Sequence, residues 1–311
     1  MGTWANTTEP TPAAPPRYTF TELWDLHKAF WDAFIYPNNL AEAAKVNSSI
    51  FASNALGRVD VTRTFDGAEL NTEYVFGLFA NLGETDGFSL LGTPKTYTIT
   101  KFAANENLVS SSVIIQFDFR VFNRSVPVQI DFRVFNRSVP VQIDTWVTFD
   151  SNKQIAQYDS TFHLLDWLFA QLYMVAQKQF KTPNATVTQQ VLATDLAFSI
   201  CKTHDTYCTG ASHNYTQYGN TKSCMDFLTK DVRFGQTWEM GMNTLLCRMV
   251  HENMVRYRPE VHCSHIGPSG GGMCVDDMTY QDKLLEPYFK VDSFLPYNHV
   301  SQQWWTGGPA A

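Results

Sequence analysis

Asp144-Thr-Trp-Val-Thr-Phe-Asp150 and, one turn later, Gln154-Ile-Ala-Gln-Tyr-Asp159 set the fold class of this chain. Side chains alternate at a period of two through both stretches, and Asp150 to Asn152 between them has turn chemistry. Together they read as two antiparallel strands. Outward from them, Phe88 to Phe162 keeps mostly the same period. Polar and Gly/Pro clusters interrupt it near Gly92–Pro94 and Asn105–Asn107, so this part is a meander of long antiparallel strands. Upstream, Gly57-Arg-Val-Asp-Val-Thr-Arg-Thr-Phe-Asp-Gly67 alternates as another strand, and Asp66 to Glu69 opens a helix expected to reach Leu82. Further back, Thr19 and Glu22 form a capping box. Leu23, Leu26, Phe30 and Phe34 follow at helical spacing until Pro37, and a short helix covers 40–47. Residues 164–180 read as the helix that follows the meander.

Two helices, a strand, a helix and a curved antiparallel meander give an α+β cone with an open, apolar mouth. Over about residues 18–175 this order resembles the nuclear transport factor 2-like superfamily, also called SnoaL-like or ketosteroid isomerase-like. The stretches 57–67, 144–150 and 154–159 carry the resemblance. It implies a pocket for a small apolar molecule and cofactor-free isomerase, cyclase or dehydratase chemistry. It also implies that a carboxylate or a His–Asp pair on the closing strands acts as general base or orients water. The residues at those positions here are Asp144, Tyr158, Asp159 and His163. Asp159 and His163 share parity, so both are expected to face into the cone and Tyr158 to face away. An apolar cavity would raise a carboxylate pKa toward the range useful for proton abstraction. The plainer reading makes Asp159 a solvated strand residue and His163 a satisfied residue at a helix start. Arg58 and Arg63 read as surface charges. The superfamily includes binding proteins as well as enzymes, so the alternative is a secreted, non-catalytic binding or structural protein.

One segment disturbs the meander. Residues 118–130, Asp-Phe-Arg-Val-Phe-Asn-Arg-Ser-Val-Pro-Val-Gln-Ile, recur unchanged at 131–143. A shift by an odd number of residues exchanges the two faces of a strand. The copy therefore reads as a tandem duplication to be extruded at the rim, or as an added hairpin.

After residue 180 the chain changes character. All six cysteines (Cys201, Cys208, Cys224, Cys247, Cys263 and Cys274) and five of the eight histidines (His204, His213, His251, His262 and His265) lie between Cys201 and Cys274. An even, clustered count in a helical module reads as three disulfides, and six cysteines allow 15 pairings. The rival reading is a metal site, because Cys247 and His251 lie at i and i+4 on a helix expected over Gln236–Arg258. His262, Cys263 and His265 would complete that site. Cys-x-x-Cys is absent, and no spacing fits a zinc finger, so the adopted reading is disulfides, with no metal and no cofactor. The Gly270-Gly-Gly272 run lacks the Lys-Ser/Thr and helix of a phosphate loop and reads as a flexible loop. The resulting organisation is an arm at 1–17, the cone at 18–180 and a helical cysteine-rich region at 181–311.

Composition narrows the function classes. A formal charge of −7 with no basic run argues against nucleic acid. The longest apolar stretch, Leu164 to Ala176, is interrupted by Asp166 and Gln171 and is too short to span a membrane. Six Asn-x-Ser/Thr sequons, at Asn6, Asn47, Asn123, Asn136, Asn184 and Asn214, exceed the roughly three expected by chance, although one is a copy. With the cysteines they favour a secreted or lumenal glycoprotein over a cytoplasmic one. Residues 1–17 have no apolar h-region, so that location implies a leader outside this chain. The oligomeric state is left open.

Overall fold

The computed structural model describes residues 16–80, 89–119, 138–210 and 214–285. Helix α1 (Phe20–Phe34) starts at the expected capping box, with the Thr19 side chain accepting from the Glu22 N–H. Its buried stripe is Leu23, His27, Trp31 and Phe34, so the inward face includes a histidine that the apolar pattern passed over. Helix α2 (Asn38–Ala43) leads to β1 (Phe51–Val59), β2 (Thr64–Asp66) and α3 (Ala68–Val75). The chain then forms β3 (Thr93–Asn105), β4 (Leu108–Asp118), β5 (Ser138–Phe149) and β6 (Ile155–His163).

The six strands make one sheet in the order β2-β1-β6-β5-β4-β3. The meander from β3 to β6 is antiparallel as expected, but β1 joins the far side of β6 in parallel. Helix α1 and the short turn Gly77–Phe79 after α3 cover one face of the sheet, and Phe34, Phe79 and Phe117 stack there edge to face and tilted. Gly57 in β1 is required by packing. A Cβ there would lie 2.2 Å from Asn71 Oδ1 and 2.3 Å from Tyr158 Cζ, so any side chain would displace both.

The duplicated segment leaves the register of the sheet intact. Asp118 ends β4 and pairs with Ser138, which begins β5. Ser138 to Ile143 belong to the second copy and are identical to Ser125 to Ile130 of the first. Thirteen residues are thus added between the paired strands and not within them, and no face is exchanged. Residues 120–137, with the sequons at Asn123 and Asn136, lie outside the described residues.

Helix α4 (Leu165–Phe180) follows the sheet as expected. The Thr186-x-x-Gln189 pattern predicts a capped helix to Ile200; helix α5 (Ala185–Tyr207) runs past that end and is capped by Asn184. The sequence around Cys224 predicts a short helix from about Asn220 to Lys230, and helix α6 (Thr221–Asp226) forms within that span. The single helix expected over 236–258 is broken. A 3-10 turn spans Thr237–Glu239, Thr244 caps α7 (Leu245–Val255), and Trp238 is exposed. Thr244 supplies the missing start signal, since its hydroxyl accepts from the Cys247 N–H. Helices α8 (Pro259–His265) and α9 (Tyr280–Leu285) complete the described chain.

All six cysteines are paired as Cys201–Cys224, Cys208–Cys263 and Cys247–Cys274. Arg63 is not a loose surface charge. It donates to the carbonyls of Gly241, Met273 and Val275 at 2.7–2.9 Å and pairs with Asp277, clamping the cysteine-rich region onto the β1–β2 turn.

Candidate functional site

Two sites lie side by side where the cone meets α7. The first is a cavity of about 120 Å³ inside the cone. Phe30, Trp31 and Phe34 of α1, Val141, Ile143 and Val147 of β5, Phe162 of β6 and Phe169 of α4 line it, with Met240 and Val250 closing it from the C-terminal side. Its wall contains no carboxylate, imidazole or cation among the described residues. Its polar atoms are hydroxyls. Thr145 and Ser160 satisfy each other at 3.0 Å. The Tyr158 hydroxyl is buried and has no hydrogen-bond partner. Burial pushes the Tyr158 pKa above its ordinary value, so the phenol stays protonated and available as a donor.

The expected facing of the closing strands is reversed. Tyr158, Ser160 and Phe162 point into the cavity, so Asp159 and His163 take the other side of the sheet. Asp159 forms a fork with Arg58, with Arg58 Nε donating to Oδ1 at 2.8 Å and Nη2 to Oδ2. Asp144 and His163 sit on the same outer side, 3.6 Å apart and each partly exposed. Asp144 also accepts from Gln142 at 2.8 Å. Residues 159 and 163 do share a face, as their parity requires, but parity cannot say which face is concave. A bulge between Ile155 and Gln157 sets the alternation that turns Tyr158 inward.

The second site is a cluster of three buried histidines. His251 lies on α7, and His262 and His265 lie three apart on one face of α8. Their Nδ1 atoms converge, 3.0 Å apart for His251–His265, 3.2 Å for His262–His265 and 3.5 Å for His251–His262. Around the outside, His251 Nε2 meets the Tyr74 hydroxyl at 3.0 Å. His262 Nε2 faces Glu73 Oε2 at 3.2 Å, off the line of a good hydrogen bond, so neither atom counts as satisfied. Arg258 holds the other Glu73 oxygen at 2.9 Å. Burial and the neighbouring imidazoles hold the His251 pKa well below its ordinary value, and burial followed by His262 pushes His265 down to about 3. Tyr74 belongs to both sites, since its ring also lines the cavity.

Comparison with known proteins shows the family of this chain. The chain matches the BfoA N-terminal domain over residues 28–134 and the BfoA family C-terminal domain over 163–277. It is 44% identical to Bifonsecin B biosynthesis cluster protein A of Aspergillus brasiliensis, over 95% of this chain and 89% of that protein. It belongs to the BfoA family. Aurasperone B biosynthesis cluster protein A of Aspergillus niger is 43% identical over 95% of this chain and 87% of its own length. Among solved structures, the chain is similar to an LEH-like epoxide hydrolase of M. tuberculosis (10% identity, TM-score 0.34), over 52% of this chain and 98% of that one. It is also similar to a protein of ketosteroid isomerase-like fold from Catenulispora acidiphila (14%, TM-score 0.30), over 44% and 83%. In this BfoA protein the three histidines fall in the C-terminal domain. The cavity wall draws on both domains.

A signal for the histidine cluster is legible in the sequence. His262 and His265 share a helix face, on either side of Cys263. Disulfides and a metal site are alternatives in the sequence, and the structure separates them. The sulfurs pair with each other, and the imidazoles are left to converge. The glycine run is also more than a flexible loop. Gly271, at φ +55°, packs on His265, and a Cβ there would lie 2.4 Å from its Cδ2.

Proposed function

We propose that the cone binds a small apolar molecule bearing a ring or closing one, and guides a cyclase- or isomerase-type step in its biosynthesis. One observation carries this reading: an aromatic-lined cavity has two buried, unpaired hydroxyls among its lining residues, those of Tyr158 and Thr62. A buried donor without a partner costs about 1–3 kcal/mol, a cost that a ligand carbonyl or phenol oxygen would remove. A protonated tyrosine in a dry pocket donates to an oxygen on which charge develops, which is what enolisation before isomerisation, cyclisation or dehydration requires. The cavity supplies shape, exclusion of water and that donor. At about 120 Å³ it is near the size that holds a single benzene-like ring, so a larger ligand needs the wall to open. The relatives' place in small-molecule biosynthesis clusters fits this reading, and three disulfides suit an oxidising, secretory setting.

Trp31 in the cavity wall reports occupancy. Titration with a hydroxynaphthalene should quench its fluorescence saturably. Ile143→Trp, which fills the cavity, should abolish the response. Tyr158→Phe should weaken binding by about tenfold, the equivalent of one hydrogen bond. Asp159→Asn, on the other face of the sheet, should change nothing. A response that survives Ile143→Trp but is lost in Asp159→Asn would move the site to the outer face and end this reading.

A further inference from the structure

We propose that His251, His262 and His265 form a binding site for one divalent transition-metal ion of the zinc class, held through their three Nδ1 atoms. The site is independent of what the cone binds, although Tyr74 touches both.

The first argument is geometric. Zinc bound tetrahedrally at about 2.0–2.1 Å from each nitrogen sets those nitrogens about 3.3 Å apart. The observed separations, 3.0, 3.2 and 3.5 Å, bracket that distance.

The second argument concerns protons. A neutral imidazole nitrogen is either a donor or an acceptor. One Nδ1–H can be shared between the other two nitrogens, but two lone pairs then face each other across the third edge of the triangle. Two or three Nδ1–H groups would point hydrogens at one another. If all three carry the proton on Nε2, three lone pairs converge, which is a ligand set for a cation. The surroundings favour that tautomer where they contact Nε2. Glu73 faces His262, and the Tyr74 hydroxyl meets His251. A carboxylate against the outer nitrogen of a ligating histidine is the usual support for such a site.

The third argument is preorganisation. The Cys208–Cys263 bridge anchors α8 between His262 and His265. The Cys247–Cys274 bridge anchors α7 one turn before His251. The sulfurs of that second bridge lie within 4.8 Å of a His251 nitrogen, but being oxidised they are not thiolate ligands. Glu73 is itself fixed by Arg258. Three imidazoles, with no fourth ligand beside them among the described residues, match the pattern of zinc sites that leave one position for water or a ligand. Imidazole ligation also suits copper, nickel and iron, and zinc is the probe chosen here.

The test uses the full-length, oxidised protein after dialysis against a chelator. Calorimetric titration with ZnCl2 should show one saturable equivalent. CoCl2 should give the visible bands of a four-coordinate nitrogen site without thiolate charge transfer. Glu73→Gln should weaken zinc about 10–100-fold. His265→Gln should weaken it by more, while intact mass shows three disulfides and unfolding stays cooperative. If His265→Gln does not fold, the wild-type stoichiometry, the cobalt spectrum and Glu73→Gln still decide. Absence of a saturable equivalent in wild type overturns the proposal. So does uptake that is unchanged in both variants, which would be adventitious binding at exposed groups such as Asp144 and His163. Hydroxynaphthalene binding in the cone can be scored on the same samples, so failure of one site leaves the other standing.

Discussion

The cone and the cysteine-rich region solve the same problem, holding a polar group in a dry interior, by different means. The cone buries the Tyr158 phenol in a mostly apolar wall, so the sheet and α1 hold it by packing. On its short helices α7 and α8, the C-terminal region buries three imidazoles and an arginine, and α5 buries a fourth imidazole, His204. It ties those helices with three disulfides and with backbone carbonyls, such as those of Gly267 and Thr244 that accept from Arg248. A continuous sheet can leave a few polar side-chain atoms unpaired at modest cost. Short helices carrying several polar groups need covalent restraint, because their apolar faces are too small to fix them.

The largest expected effect separates the two regions directly. The Cys208–Cys263 bridge closes 55 residues. Replacing both cysteines by serine should cost about 4 kcal/mol by loop entropy, read as a lower denaturant midpoint. A loss below about 1 kcal/mol would show that packing alone holds α8, and the contrast with the cone would fail.

Acid should break the cone through a single residue. His27 is buried on α1, where its Nε2 lies 2.9 Å from Trp31 Nε1 and 2.8 Å from the Ser111 hydroxyl. Burial pushes its pKa down to about 4. The unfolded chain takes up this proton near pH 6.5 and the folded chain does not. Stability is therefore complete above about pH 6.5 and falls as pH drops toward 4, by about 3 kcal/mol. His27→Gln should remove that share of the acid sensitivity when urea midpoints at pH 7.5 and 4.5 are compared with wild type. Equal losses in both proteins would mean that His27 carries a proton while folded.

The smallest expected effect concerns the repeat. Deleting 131–143 shortens the connection between the paired Asp118 and the strand-opening serine from 19 residues to six, with the register kept. Loop closure over the shorter span should stabilise the cone by about 1 kcal/mol. A marked fall in Tm would mean that both copies are built into the folded structure.

Much of the fold could be read along the chain because it rests on local chemistry. The Thr19–Glu22 capping box, the period-two meander and its turns place α1 and β3 to β6. The clustered, even cysteine count gives three disulfides. These signals act over a few residues, and the sequence states them outright. Tertiary structure decided whatever depends on which groups meet. Parity put Asp159 and His163 together, but the curvature of the sheet and the bulge near Ala156 chose Tyr158 for the concave side. The sequence limited the cysteines to 15 pairings, and packing selected one. His251, His262 and His265 lie up to 14 residues apart. Only the turn at Arg258–Pro259, which folds α8 against α7, brings their nitrogens within 3.5 Å. Local propensity acts through neighbours in sequence. A site is made by atoms that the chain brings together from a distance.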